Sequence, residues 1–171
     1  MTLSLPADAL LVLIGPSGAG KSTFAARHFA PTQILSSDAM RAMVADDPGD
    51  QAATDAAFEL LHAALEHRLA RGRLTVVDAT NVESWARSRL VAAARRHARP
   101  AVALVFDLPL AICLERNEAR GDRRIPPAAV RRQHARLDSS LTSLAGEGFD
   151  PVMVLETPAA VAAVTLKVEA R

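Results

Sequence analysis

Residues 10–23 read LLVLIGPSGAGKST and carry the strongest indication of fold in the sequence. Leu10–Ile14 is a continuous apolar run, as expected for a strand buried on both faces of a parallel sheet. The remainder satisfies the pattern G-x-x-x-x-G-K-[ST], which begins at Gly15 and closes with Gly20 and Lys21-Ser22. A strand before the glycines and a helix after them is the context that separates a phosphate-binding loop from a chance match. We therefore predict that this loop binds a nucleoside triphosphate.

The residue types of the loop predict its contacts. Glycines let backbone amides turn towards phosphates, and the following helix N-terminus adds a partial positive charge. Lys21 is predicted to bridge the β- and γ-phosphates, and the Ser22 hydroxyl to ligate Mg²⁺. The expected cofactors are ATP, or another nucleoside triphosphate, and Mg²⁺. The predicted phosphate contacts from the loop are Gly15, Ser17, Gly18, Ala19, Gly20, Lys21, Ser22 and Thr23.

Beyond the loop, apolar runs alternate with longer amphipathic stretches, which is typical of an α/β layer fold. We predict one P-loop kinase domain over residues 1–171, with a parallel five-stranded sheet flanked by helices. The predicted strands are 10–14, 33–36, 74–78, 101–107 and 151–155. The predicted helices are 21–29, one through Phe58, Leu61, Leu65 and Leu69 to Gly72, then 83–98, 109–120, 127–145, and one from Pro158 towards the C-terminus.

Composition excludes several classes of protein. The formal net charge is +1, far from the basic balance of a protein that coats nucleic acid through its backbone. No apolar run approaches eighteen residues and no export signal begins the chain, so we expect a cytoplasmic protein without a membrane partner. The single cysteine, Cys113, lies in an apolar run and is predicted to be buried rather than reactive. No exposed apolar stripe in the sequence demands a dimer.

Two aspartates follow predicted strands and should lie at the sheet edge that faces the γ-phosphate. Asp38 precedes Arg41 by three residues, so both project from one face of a helical turn. Asp38 suits a general base for an attacking hydroxyl and Arg41 an anion contact on the acceptor, although Asp38 can also cap the helix. Asp78 suits the Mg²⁺ site, directly or through water, or it pairs with Arg41; Asn81 is the better cap for the next helix.

A cluster of arginines spans the end of the fourth predicted helix and the turn that follows it. Arg116 and Arg120 share a helix face, and a charged turn with Arg123, Arg124 and two prolines comes next. Such a segment, about residues 116–136, predicts a lid of helix and loop whose arginines stabilise charge on a transferring phosphoryl group. A solvated basic face is the alternative. Arg120 is a candidate for stacking on the nucleobase.

Several motifs together resemble one family, the kinase domain of the bacterial polynucleotide kinase-phosphatases, which heal RNA ends within the P-loop phosphotransferase superfamily. The resemblance runs from the first strand to about Leu155. It rests on the loop already quoted and on Ser36-Ser37-Asp38 with Arg41, Phe58-Glu59-Leu60-Leu61, Asp78-Ala79-Thr80-Asn81, Arg116-Asn117 with Arg123, and Arg131-Arg132-Gln133.

That resemblance implies transfer of the γ-phosphate of ATP to the 5′-hydroxyl end of RNA or DNA. Lys21 and Asp38 would be catalytic, and Arg116 and Arg123 would be catalytic lid arginines on the ATP phosphates. Arg41 would hold the acceptor strand, Gln51 would add an acceptor contact, and Val130 or Arg131 would lie beneath the terminal base. The family also carries phosphatase and ligase modules, so this sequence would be either a domain of such a chain or a free-standing kinase.

Two other function classes share the loop. A small-molecule P-loop kinase of the gluconate or shikimate type would also use Lys21, Ser22 and an acceptor-side acid. An ATP-dependent switch or hydrolase would use water as the nucleophile and would turn over ATP whatever hydroxyl acceptor is added.

Overall fold

The computed structural model describes residues 2–121 and 124–169. Its centre is a parallel five-stranded sheet with the strand order β3-β4-β2-β5-β6, and a separate two-stranded parallel sheet pairs β1 with β7. The strands are β1 (Thr2–Pro6), β2 (Leu10–Ile14), β3 (Ile34–Ser36), β4 (Thr75–Asp78), β5 (Ala101–Phe106), β6 (Val152–Leu155) and β7 (Thr165–Glu169).

Helices cover both faces of the five-stranded sheet, which confirms the predicted fold class. The helices are α1 (Lys21–His28), α2 (Ser37–Ala45), α3 (Thr54–Ala70), α4 (Ser84–Arg96), α5 (Leu110–Glu118), α6 (Pro127–Ser140) and α7 (Pro158–Ala162). Short 3₁₀ turns occupy Pro31–Gln33, Gln51–Ala53 and Leu141–Gly146. No helix within the two described ranges meets the length and apolarity that a membrane span requires.

Strand β2 divides the core into two layers. All five of its residues are buried, as the apolar run predicted. Leu11 and Leu13 face a cluster with Phe24 of α1, while Leu10, Val12 and Ile14 face a cluster with the buried leucines of α3. Because consecutive strand residues point to opposite faces, a run that is apolar at every position has to be covered on both sides.

Strand register brings the candidate chemistry to one edge of the sheet. Leu13 pairs with Asp78 across β2 and β4, and Ser36 pairs with the same Asp78 across β3 and β4. The three strands therefore end at the same level, and the chain that follows each of them emerges at that edge. These are the glycine loop after β2, α2 after β3 and the loop after β4.

The ends of the chain differ from the sequence prediction. The predicted helix from Pro158 stops at Ala162, and Thr165–Glu169 forms β7 against β1, so the prediction is wrong beyond that point. The reason is the two-residue alternation of polar and apolar side chains in that segment, which suits a strand. Strand β1 was not predicted; its Leu3 and Leu5 are buried at alternate positions.

Cys113 is fully buried, and burial raises the pKa of its thiol. Both observations agree with the predicted structural role. A thiolate is the reactive form of cysteine, and this environment disfavours it.

A buried arginine fixes the loop after β4. Arg87 of α4 is fully buried, and its Nε and Nη2 donate to the two carboxylate oxygens of Glu147 at 2.6 and 2.7 Å. Its Nη1 donates to the carbonyl oxygens of Asn81 and Val82 at 3.0 and 2.8 Å. Every nitrogen of the guanidinium is therefore engaged, and the pair ties α4 to the turn after α6.

Removing one partner of this buried pair should be costly. We expect Glu147→Ala to lower the free energy of unfolding by about 3 kcal/mol or more, because it leaves the Arg87 charge buried and unpaired. The matched control is Glu66→Ala, which removes partly exposed contacts with Arg96 and His97 and should cost about 1 kcal/mol or less. Urea denaturation measures both values, and equal losses for the two variants would contradict this account.

Candidate active site

The glycine loop wraps the N-terminus of α1 in a conformation that demands glycine. Gly18 has a φ of 83°, and a Cβ there would lie 2.1 Å from the carbonyl oxygen of Cys113. Gly20 caps α1 with a φ of 96°, also in the left-handed region. These values let the loop pack against α5 while its amides turn into a cleft.

Lys21 is buried at the floor of that cleft. Its Nζ donates to the carbonyl oxygens of Gly15 and Pro16 at 2.6 and 2.8 Å. Burial lowers the Lys21 pKa to about 8, against the attraction of the nearby Asp78 carboxylate. The carbonyl oxygens of the loop therefore hold the ammonium at the place where bound phosphates would compensate its charge.

Ser22 and Asp78 lie together beside Lys21. The Ser22 hydroxyl donates to the Asp78 carboxylate, and that bond and the Lys21 charge oppose the burial that raises the pKa of Asp78. Two oxygen ligands at this point, next to a phosphate loop, fit the hard coordination that Mg²⁺ prefers. Asp78 does not pair with Arg41, so that alternative is wrong for this structure.

Asn81 was predicted to cap the helix that is now α4, but its side chain makes a different contact. Its Nδ2 donates to the carbonyl oxygen of Leu13 at 2.7 Å, while Glu83 occupies the cap position of α4. The amide of Gly15 donates to the carbonyl oxygen of Thr80 at 2.9 Å. The loop after β4 therefore supports the start of the glycine loop.

Asp38 lies in the first turn of α2 and does not cap it. The Ser36 hydroxyl accepts the Ala39 amide and takes the capping role, which leaves the Asp38 carboxylate for other partners. Arg41 forms an ion pair with Asp38, and its Nε donates to the carbonyl oxygen of Pro48 at 2.9 Å. The arginine thereby orients the carboxylate at the mouth of the cleft.

Two arginines of the predicted lid segment reach the same region. A Cβ at Gly20 would lie 3.4 Å from Arg116 Nη1, so that guanidinium lies next to the glycine loop. Arg120 Nη2 lies 3.6 Å from Asp38 Oδ2, which places Arg120 beside the predicted base. Asn117 closes the connection between α5 and α6 by donating to and accepting from the backbone of Ile125.

Together these groups line one cleft of about 1130 Å³. Only Asp38 and Asp78 are acidic among the described residues that line it. The predicted site residues that line the cleft are Ser17, Gly18, Gly20, Lys21, Ser22, Thr23, Asp38, Arg41, Gln51, Asp78, Arg116 and Arg120. Its arginines are Arg27, Arg41, Arg116, Arg120, Arg124 and Arg132.

The remaining predicted residues have other positions. Gly15 and Ala19 belong to the loop but do not line the cleft, and Arg123 lies outside the described residues. Arg131 is exposed on α6 and does not line the cleft, and Val130 is fully buried, so the structure brings neither residue to the cleft. The next positions, Arg132 and Gln133, line it instead, because one residue along a helix turns a side chain by about 100°.

The face of α6 that lines the cleft was missed from the sequence. It consists of Ala129, Arg132 and Gln133, which follow the i, i+3, i+4 spacing of a single helix face. Gln133 Oε1 accepts the amide of Ser17 at 2.9 Å. The helical spacing of these three residues is visible in the sequence. The face of α6 that packs on the protein is known only from its buried residues, Val130 and Leu137.

Comparison with known proteins identifies the loop and the fold. The AAA_33 family, an AAA domain, matches residues 10–142. Comparison with curated proteins gives no sequence match.

Solved structures share the fold. A chain of the Pnkp1/Rnl/Hen1 RNA repair complex has a TM-score of 0.68 at 24% identity, covering 80% of this chain and 46% of that one. The AvrRxo1-ORF1:-ORF2 complex with ATP has a TM-score of 0.67 at 14% identity, covering 87% and 54%. A gluconokinase from Sinorhizobium meliloti 1021 has a TM-score of 0.56 at 18% identity, covering 92% and 94%. The chain thus spans about half the length of the first two proteins.

The lowered pKa of Lys21 predicts proton uptake when phosphates bind. In the free protein at pH 9, a Lys21 with a pKa of about 8 is mostly neutral, and a bound polyphosphate favours its charged form. We expect MgATP binding at pH 9 to take up close to one proton, and much less at pH 7. Calorimetry in buffers of different ionisation enthalpy measures this uptake, and identical binding enthalpies in all buffers at pH 9 would contradict it.

Proposed function

Because this chain belongs to the AAA_33 family of AAA domains and has the fold of P-loop kinases, we propose that it transfers the γ-phosphate of ATP to the 5′-hydroxyl end of a polynucleotide. One observation carries the proposal. The arginine-held carboxylate of Asp38 lies in the same cleft as the phosphate loop with Lys21. This pairs a phosphate donor site with a base for a hydroxyl acceptor.

The donor half of the reaction uses the glycine loop. Amides of the loop and the N-terminus of α1 would hold the phosphates, and the Lys21 ammonium would move from the loop carbonyls to the β- and γ-phosphate oxygens. Ser22 and Asp78 would hold Mg²⁺, which when bound neutralises charge on the phosphates. Arg116, already over the loop, would stabilise charge on the transferring group.

The acceptor half uses α2. Asp38 would take the proton from the 5′-hydroxyl of the acceptor. The oxygen of that hydroxyl would bond to the γ-phosphorus while the bond between this phosphorus and the ADP oxygen breaks. Arg41 orients the carboxylate and has further N–H groups for an acceptor phosphate. Arg120, 3.6 Å from Asp38, adds positive charge where a phosphodiester would enter.

Charge favours a polynucleotide acceptor over a small sugar acid. Among the described residues that line the cleft, six are arginines and two are acidic, so the cleft carries an excess of positive charge that suits a phosphodiester strand. Gln51 and Pro48 also line the cleft, and Arg41 Nε donates to the Pro48 carbonyl oxygen. The likeness to a chain of an RNA repair complex supports the same choice.

A small-molecule kinase is the second candidate. The gluconokinase matches this chain over nearly the whole length of both proteins, whereas the chain of the RNA repair complex is about twice as long. The two candidates share the donor half and differ in what Arg41 and Gln51 contact.

A competition between acceptors tests the proposal. The protein would be incubated with γ-labelled ATP, Mg²⁺, gluconate and a short oligonucleotide with a 5′-hydroxyl; a 5′-phosphorylated copy is the control acceptor. We expect label at the 5′ end of the hydroxyl oligonucleotide alone, because only it offers both a nucleophile and phosphodiester charge. Label on gluconate would contradict the acceptor assignment, and label in free phosphate alone would contradict phosphoryl transfer.

The role of Asp38 gives a second prediction. Asp38→Asn keeps the shape of the side chain but removes the base, so the rate of transfer should fall roughly 10²- to 10⁴-fold while ATP affinity changes little. Single-turnover kinetics and equilibrium binding measure the two quantities separately. Wild-type transfer by Asp38→Asn would show that this carboxylate is not the base.

A further inference from the structure

Gln133 links helix α6 to the glycine loop across 116 positions of the sequence. Its side-chain oxygen Oε1 accepts the backbone amide of Ser17 at 2.9 Å. A backbone N–H can only donate, so the oxygen of this side chain has to face Ser17 and the amide group Nε2 has to face elsewhere. Gln133 and Ser17 both line the cleft.

The amide group of Gln133 is a donor available to a ligand. Within residues 2–121 and 124–169, the hydrogen bond of the Gln133 side chain is the one that Oε1 accepts from Ser17, and Nε2 has no protein partner. The side chain is half-buried, and its carbonyl end is fixed by a backbone group. It therefore offers two N–H groups from a restrained position.

The location of Ser17 indicates which phosphate this donor would meet. Lys21 Nζ contacts the carbonyl oxygens of Gly15 and Pro16, the two residues directly before Ser17. In the proposed function the same ammonium spans the β- and γ-phosphates, whereas the amides nearest the N-terminus of α1 hold the inner phosphate. Gln133 therefore stands on the outer side of the loop, where the terminal phosphate would lie.

We propose that Gln133 recognises the terminal phosphate of the bound triphosphate: Ser17 holds its carbonyl oxygen, and its Nε2 donates to a γ-phosphate oxygen. The inference rests on the proposed function, since it needs a nucleoside triphosphate on the glycine loop. It makes Gln133 a residue that distinguishes ATP from ADP. It also assigns a function to the face of α6 that lines the cleft, which the sequence analysis did not identify.

Helix α6 does not depend on Gln133 for its packing. Val130 and Leu137 anchor it in the two apolar clusters, and His134 Nε2 contacts the carbonyl oxygen of Leu108 at 3.0 Å. Substitutions at Gln133 should therefore leave the fold intact, which thermal denaturation checks.

Two variants of Gln133 test the proposal. Gln133→Glu keeps an oxygen for the Ser17 amide but replaces the donor with a negatively charged acceptor, and Gln133→Met removes both contacts at similar size. We expect the Kd for MgATP to rise at least tenfold in both variants, since a hydrogen bond to a charged group is lost, while the Kd for MgADP rises less than threefold. Calorimetry at one fixed salt concentration measures both affinities for the wild type and for each variant.

Ala162→Glu is the charge control, because it adds the same negative charge to the cleft at an exposed residue of α7 that has no role in the proposed reaction. Its ratio of ATP to ADP affinity should stay that of the wild type. Equal weakening of ATP and ADP by the Gln133 variants, or an equal shift of the ratio in Ala162→Glu, would overturn the inference while leaving the kinase proposal standing. A wild-type protein that binds neither nucleotide would overturn both.

Discussion

The buried ammonium of Lys21 is the constraint around which the cleft is organised. Its hydrogen bonds to Gly15 and Pro16 hold a positive charge at the edge of the sheet, in a position where burial disfavours that charge. The two aspartates placed at the same edge by strand register, Asp38 and Asp78, both favour the charged form of Lys21. A polyphosphate would relieve the same cost more fully. The folded state therefore holds a buried positive charge that a bound polyphosphate would stabilise.

The fold was readable from the sequence because its main signals are local. A strand that is apolar at every position, a glycine loop and a helix start predict a parallel sheet covered on both faces, and that sheet is present. Asp38 and Asp78 were found because residues after parallel strands meet at one edge. Strands β1 and β7 were not predicted, because the alternation of polar and apolar residues in β7 is only five residues long and its pairing with β1, at the opposite end of the chain, is not a local signal.

The lid was predicted less well than the loop because its side chains are set by helix rotation. The sequence indicated an arginine-rich segment with Arg131, but α6 turns Ala129, Arg132 and Gln133 into the cleft instead. Arg120 reaches Asp38 across the cleft, a contact between elements more than eighty residues apart in sequence. The buried positions of α5 and α6 determine which face of each helix lines the cleft. Which positions are buried depends on the tertiary structure.

The proposed function requires that a hydroxyl acceptor, and not water, attacks the phosphate held by this loop. The reaction of ATP with a 5′-hydroxyl oligonucleotide in water enriched in ¹⁸O distinguishes the two nucleophiles, with mass spectrometry of both products. We expect phosphorylated oligonucleotide whose new phosphate carries no ¹⁸O, and little inorganic phosphate. Unchanged oligonucleotide with inorganic phosphate that has gained one ¹⁸O atom would contradict it.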